Sequence, residues 1–94
     1  MIRHIVMWKF REGTGEDQER FLSGLKGLYG VIPGIRNLSV QRSVKKDGDN
    51  DAVLIADFDS EEALAAYLKD PRHLAVSSIC KAIRVSRSSI DVAV

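Results

Sequence analysis

Residues 2–10, IRHIVMWKF, alternate so that His4, Val6, Trp8 and Phe10 share one face of a strand, while Arg3, Ile5, Met7 and Lys9 share the other. Both faces are apolar at their centre. A sheet in a small α+β domain needs only one face against its helices, so Ile5 and Met7 predict that a partner sheet covers the second. The period then changes. Phe21, Leu22, Leu25, Leu28, Tyr29 and Ile32 fall on one helical stripe, which predicts a helix from Glu16 or Asp17 to about Ile32, ahead of Pro33-Gly34. Gly24, Gly27 and Gly30 lie off that stripe, and an interior glycine costs about 1 kcal/mol relative to alanine, so packing rather than propensity must hold this helix.

Ile35 to Val44 reads as a second strand with Leu38, Val40 and Val44 on one face, followed by a polar turn, Lys45 to Asp51, that contains Asp47-Gly48. Ala52 to Phe58 is a third strand whose VLIA centre is apolar on both faces, which repeats the argument for a covering sheet. Ser60 is placed to cap a second helix, with Glu61 and Glu62 favourably set in its first turn, and that helix runs to about Leu68. Asp70-Pro71 restarts a helix with an N-cap and a proline at its first position, and Val76, Ile79, Cys80 and Ile83 form its buried stripe. Ser86 to Val94 closes the chain as a strand that alternates Ser88, Ile90, Val92 and Val94. Strand, helix, strand, strand, helix pair, strand is the ferredoxin-like split βαβ order, an α+β fold with a four-stranded antiparallel sheet, and it predicts one domain over residues 1–94.

Length strengthens the case for a second copy. A chain of 94 residues buries roughly 60 to 70% of its unfolded surface, which makes a lone monomer marginal, and a homodimer through the face of Ile5 and Met7 is expected. Fourteen basic and thirteen acidic residues leave a net charge of +1, scattered along the chain, so nucleic acid is not an expected partner. No apolar run approaches the ~20 residues that span a bilayer, and residues 1–12 carry charge where a signal peptide is apolar; the expected location is cytoplasmic, away from membranes. Cys80 is the only cysteine and sits among apolar residues, as a small buried side chain does.

Chemistry concentrates between Phe58 and Leu74. His73 stands three, seven and ten residues before Val76, Cys80 and Ile83, so its imidazole lies on or beside a buried stripe, near a helix N-terminus that disfavours its charge and near an Asp70 carboxylate that favours it. Tyr67 closes the preceding helix, and the break at Asp70-Pro71 turns its hydroxyl toward His73. His4 alternates with Val6 and Trp8 and looks toward the same helices. Together they supply a base, a hydroxyl and a second imidazole, a set suited to proton abstraction next to a carbonyl in an apolar chamber. The competing expectation is that both histidines merely satisfy main-chain carbonyls and that Tyr67 turns to solvent. A metal held by His4, His73 and Asp70 is a third arrangement, weakened by the lack of short-spaced ligands. Gly13-Thr14-Gly15 lacks the third glycine of a dinucleotide loop, since position 18 is Gln18. Asp47, Asp49 and Asp51 lack the glycine and glutamate of a calcium loop, where Ala52 and Phe58 stand.

The opening MIRHIVMWKF, the IPGI turn at Ile32 to Ile35 and the block FDSEEALAAYLKDPRHLAV resemble the stress-responsive α/β-barrel, or Dabb, family over nearly the whole chain. The resemblance implies a ferredoxin-like monomer that pairs its sheet with a second subunit's to make a dimeric barrel. One plant branch of the family closes linear polyketides by an aldol step without metal or organic cofactor. By resemblance its base falls on His73, its assisting tyrosine on Tyr67 and its strand-one histidine on His4. The wider dimeric-barrel group also contains cofactor-free monooxygenases. The implied function is a homodimeric barrel with a pocket for a small apolar, carbonyl-bearing ligand, either with cofactor-free cyclase or lyase chemistry or as a noncatalytic stress or interaction protein. Phe21, Leu25 and Tyr29 on the first helix and Val76, Ile79 and Ile83 on the last are the expected lining.

Overall fold

A computed structural model describing residues 1–94 contains, in chain order, β1 (Ile2–Phe10), α1 (Gly15–Lys26), β2 (Ile35–Arg42), β3 (Ala52–Phe58), α2 (Glu61–Lys69), α3 (Pro71–Ile83) and β4 (Arg84–Ala93). The strands make one antiparallel sheet in the order β2-β3-β1-β4. This is the ferredoxin-like α+β fold, with the helices on the face that carries His4, Val6, Trp8 and Phe10. Between sheet and helices lies one core, built from Val6, Trp8 and Phe10 of β1, Phe21, Leu22 and Leu25 of α1, Leu54, Ala56 and Phe58 of β3, Leu64 and Tyr67 of α2, and Cys80 and Ile83 of α3. No helix is long and apolar enough to cross a membrane.

The caps follow the chemistry of the sequence. Ser60 Oγ accepts from the Ala63 N–H at 3.1 Å, and the Asp70 carboxylate accepts from the Arg72 N–H at 2.8 Å ahead of Pro71. Three boundaries differ from the sequence expectation. α1 ends at Lys26 instead of Ile32, because the Leu28 N–H turns back to the Leu25 carbonyl at 3.1 Å and Gly30 takes φ +82°; Leu28 and Ile32 stay in the core from a run of turns. The glycines off the stripe end the helix or admit a neighbour: a Cβ on Gly24 would stand 3.0 Å from Val76 Cγ1, so Gly24 lets α1 close on α3. β2 ends at Arg42. Ser43 bends the chain by accepting the Lys45 N–H on its hydroxyl at 3.0 Å, and Val44, expected to share a face with Leu38 and Val40, is fully exposed.

The third difference matters most for the site. β4 begins at Arg84, directly after α3, and its register against β1 shifts: Ser86 lies opposite Lys9, but Arg84 lies opposite Phe10. Val85 is thus the extra residue of a bulge.

The other face of the sheet has no helix. Its central row runs Ile90, Ile5, Ile55 and Ser39 across β4, β1, β3 and β2, beside a row of Ser88, Met7, Val53 and Gln41. Met7, Ile55 and Ile90 are all exposed there. The next row holds an ion pair: Arg3 Nε and Nη2 donate to the two Asp57 carboxylate oxygens at 2.8 and 3.0 Å. Asp57 is buried and its carboxyl is held below the usual range, chiefly by that hydrogen bonding to Arg3, against the opposing cost of burial.

Candidate functional site

Asp70 ends α2 and starts α3 in extended conformation (φ −65°, ψ 131°), as a residue before proline prefers. The resulting corner brings the last turn of α2 against the first turn of α3. Tyr67 and His73 meet there with ring centroids 4.3 Å apart and planes inclined by 43°. Phe58 packs on Tyr67 from the sheet at 4.9 Å, and His4 of β1 approaches it edge-on at 6.4 Å. These groups open onto a cavity that leaves about 40 Å³ free for the centre of a water-sized molecule, walled by Val6, Trp8, Phe21, Leu25 and Leu54 and by Ser77 and Cys80 of α3. One buried water requires ~10–15 Å³ by the same measure, so the space admits a few waters or a ligand of few heavy atoms.

Each polar group in the chamber has a distinct electrostatic setting. Tyr67 is almost wholly buried, and burial pushes its phenol up to about 12, against a smaller pull from the Arg87 charge; near neutral pH it is a hydrogen-bond donor. Burial is also the largest influence on His73 and lowers its pKa from the ordinary 6.5. The Leu68 carbonyl opposes this, and Asp70 opposes it more weakly, while His4 and Arg87 reinforce it. His73 Nδ1 is buried and has no hydrogen-bond partner in the chain. Nδ1 is thus the ring nitrogen that the chain leaves free to bond a ligand.

His4 is buried to a similar extent as Tyr67, but its ring is anchored. Nδ1 lies 2.5 Å from Oδ1 of Asp91, its register partner on β4, whose side chain is about half exposed. Nδ1 is thereby committed to that carboxylate, which fixes the orientation of the ring. Cys80 lines the cavity as a thiol whose pKa burial raises, which makes it a poor nucleophile.

The three site residues expected from the sequence therefore share one cavity wall. Of the expected lining, Phe21 and Leu25 are present. Tyr29 is not: it is half exposed, and its hydroxyl donates to the Arg36 carbonyl at 3.2 Å. Val76, Ile79 and Ile83 are replaced at the cavity by His73, Ser77 and Cys80, one helical face over. Asp70 makes no hydrogen bond to His73 and is taken up by Arg72, whose Nη2 donates to it at 2.7 Å; its carboxyl is held down at about 2 chiefly by that pairing. No group of three potential metal ligands forms. Four polar neighbours escaped sequence reasoning: Ser77, Asp91, Arg84 and Arg87. The alternation of β4 was available for Asp91 and Arg87, whereas Arg84 reaches the cavity only because of the bulge at Val85.

Residues 2–94 match the family model described as the stress responsive A/B barrel domain, Dabb. The chain belongs to this family. Over 79 residues the Dabb chain is 30% identical to an uncharacterised protein of Streptomyces coelicolor, covering 80% of this chain and 81% of that one. Among solved structures it is similar to a dimeric protein of unknown function and ferredoxin-like fold from Bacteroides fragilis, with TM-score 0.91 and 22% identity over 99% of this chain and 95% of that one. The same fold occurs in the hydroxynitrile lyase of Passiflora edulis, with TM-score 0.86 and 10% identity over 99% and 92% of the two chains. It recurs in SnoaB, a cofactor-independent oxygenase of Streptomyces nogalater, with TM-score 0.78 and 17% identity over 99% and 91%. At these identities the Dabb chain shares with them a fold.

Proposed function

We propose that this Dabb chain is a homodimer, paired through the open sheet face, that binds a small carbonyl-bearing molecule beside Tyr67 and His73 and moves a proton on it without a cofactor. The observation that carries the reading is the buried, unpartnered Nδ1 of His73 on a cavity wall. A buried polar atom without a partner costs about 1–3 kcal/mol, and a ligand or water supplies what the chain does not. In the proposed step the bond between hydrogen and the carbon next to the carbonyl breaks, the proton goes to His73, and the electron pair moves onto the carbonyl oxygen. Tyr67, a neutral donor, hydrogen-bonds that oxygen as charge develops. His4, fixed by Asp91, orients the molecule. The hydroxynitrile lyase and the cofactor-independent oxygenase support the reading only as examples of chemistry housed in this fold.

The small size of the cavity favours a second reading, in which the dimeric barrel is itself the functional object and the histidines are core residues. Deuterium exchange at the methyl groups of acetone, followed by NMR with parallel melting curves, separates the two. Under the catalytic reading, the native chain exchanges deuterium faster than buffer and His73→Ala reduces that excess by about 100-fold. The melting temperature of this variant stays nearly unchanged, because the lost ring packing is offset by removal of an unpartnered polar atom. Native protein indistinguishable from buffer, with His73→Ala destabilised by ~1–3 kcal/mol, supports the structural reading instead.

A further inference from the structure

The cavity is less apolar than a carbonyl alone requires. Arg84 and Arg87 both contribute to its wall, two cations beside a neutral imidazole and a neutral phenol. A regular strand would send residues three apart to opposite faces; the bulge at Val85 brings Arg84 and Arg87 to the same one, opposite Phe10 and Trp8. Neither guanidinium has a carboxylate within ion-pair distance, whereas Arg3, Arg20, Arg36, Arg42 and Arg72 each hold one. The closest polar engagement of Arg87 is a long 3.4 Å contact from Nη1 to Ser89 Oγ. The nearby carboxylate on this face of β4, Asp91, is committed to His4.

From this arrangement we infer that the occupant of the pocket is a small oxo acid, its carboxylate on Arg87 and Arg84 and its carbonyl toward Tyr67 and His73. The inference rests on the proposed ligand site and narrows its substrate class, replacing a neutral apolar ligand with an anionic one. Planar guanidinium groups recognise carboxylates through paired hydrogen bonds, and positive charge at this position also favours an enolate over its neutral parent. The few-atom capacity of the cavity limits the acid to a short chain.

The test compares acetoacetate with 2,4-pentanedione, which has nearly the same shape and no charge. Trp8, the only tryptophan, lines the cavity, so its fluorescence reports occupancy. The native chain should bind acetoacetate at least about tenfold more tightly than pentanedione, a preference that weakens with salt. Arg87→Gln, at an exposed position of the edge strand, should abolish the preference with no change in melting temperature, while Arg87→Lys should restore part of it. Arg84→Gln should reduce the preference as well. Equal affinity for the two compounds, or a preference that survives both glutamine variants, overturns the oxo acid assignment and leaves the carbonyl site standing. Failure of both compounds to perturb Trp8 overturns the oxo acid assignment and the carbonyl site together.

Discussion

Both faces of the sheet carry apolar side chains at the centre of β1 and β3, more of them on one face than on the other, and the two sets meet opposite fates. On one, Val6, Trp8, Leu54 and Phe58 are sealed beneath three helices; on the other, Ile5 pairs with Ile55 and Ile90 under nothing at all. The covered face contains a polar chamber with one nitrogen left unpartnered. The bare face has its charge already satisfied, with Asp57 clamped by Arg3. A surface whose polar groups are satisfied and whose apolar groups are exposed suits another protein surface. A chamber with the reverse condition suits a small molecule.

The largest effect expected from this contrast is on assembly. Met7→Asp would place a carboxylate, without a cation opposite, in the middle of the proposed inter-sheet layer. Sedimentation equilibrium should find the parent as a dimer and the variant as monomer or unfolded chain. A Met7→Asp variant that remains a stable dimer would break the contrast, because the bare face would then not be the pairing surface.

The chamber face gives a smaller, pH-dependent effect. Tyr67 has its folded-state value raised to about 12 from the ordinary 10, so above pH 10 the unfolded chain releases this proton more readily than the folded one. Stability from this group is complete below pH 10 and falls as pH rises toward 12, by of order 2–3 kcal/mol. Tyr67→Phe, compared with the native chain by denaturant melts between pH 9 and 12, should remove that slope.

The smallest effect is at His73. Its folded value lies below 6.5, so the unfolded chain binds the proton first as pH falls; the His73 contribution holds above about 6.5 and is lost below it. Melts of the native chain should show a decline below this pH that His73→Ala lacks. A matching decline in the variant would assign the slope to other groups.

Most of the architecture was legible because it rests on short-range rules: alternation in β1 and β3, the Ser60 and Asp70 caps, and the proline that turns Tyr67 toward His73. The bare face was legible for the same reason, since Ile5 and Met7 alternate against His4 and Val6. What sequence reasoning missed depends on register between strands. The pairing of Asp91 with His4 joins residues 87 positions apart in the chain, the bulge at Val85 is set by its register against Lys9 and Phe10, and nothing local in RVSRSSIDVAV marks either. The end of α1 was misread for another reason. Leu28 and Ile32 keep helical spacing and are buried, but a run of turns through Gly27 and Gly30 carries them there without a helix. The expected lining erred by one helical face on α3, where His73, Ser77 and Cys80 at i, i+4 and i+7 face the cavity and the more apolar stripe packs beside it.

The central claim is that His73 is a neutral base waiting for a ligand, and nitrogen-15 NMR of its ring tests this most directly. The account predicts a ring that titrates below the ordinary histidine value and whose Nδ1 signal moves when acetoacetate is added. A His73 that titrates at or above 6.5, with an Nδ1 signal indifferent to acetoacetate and acetone alike, would contradict it.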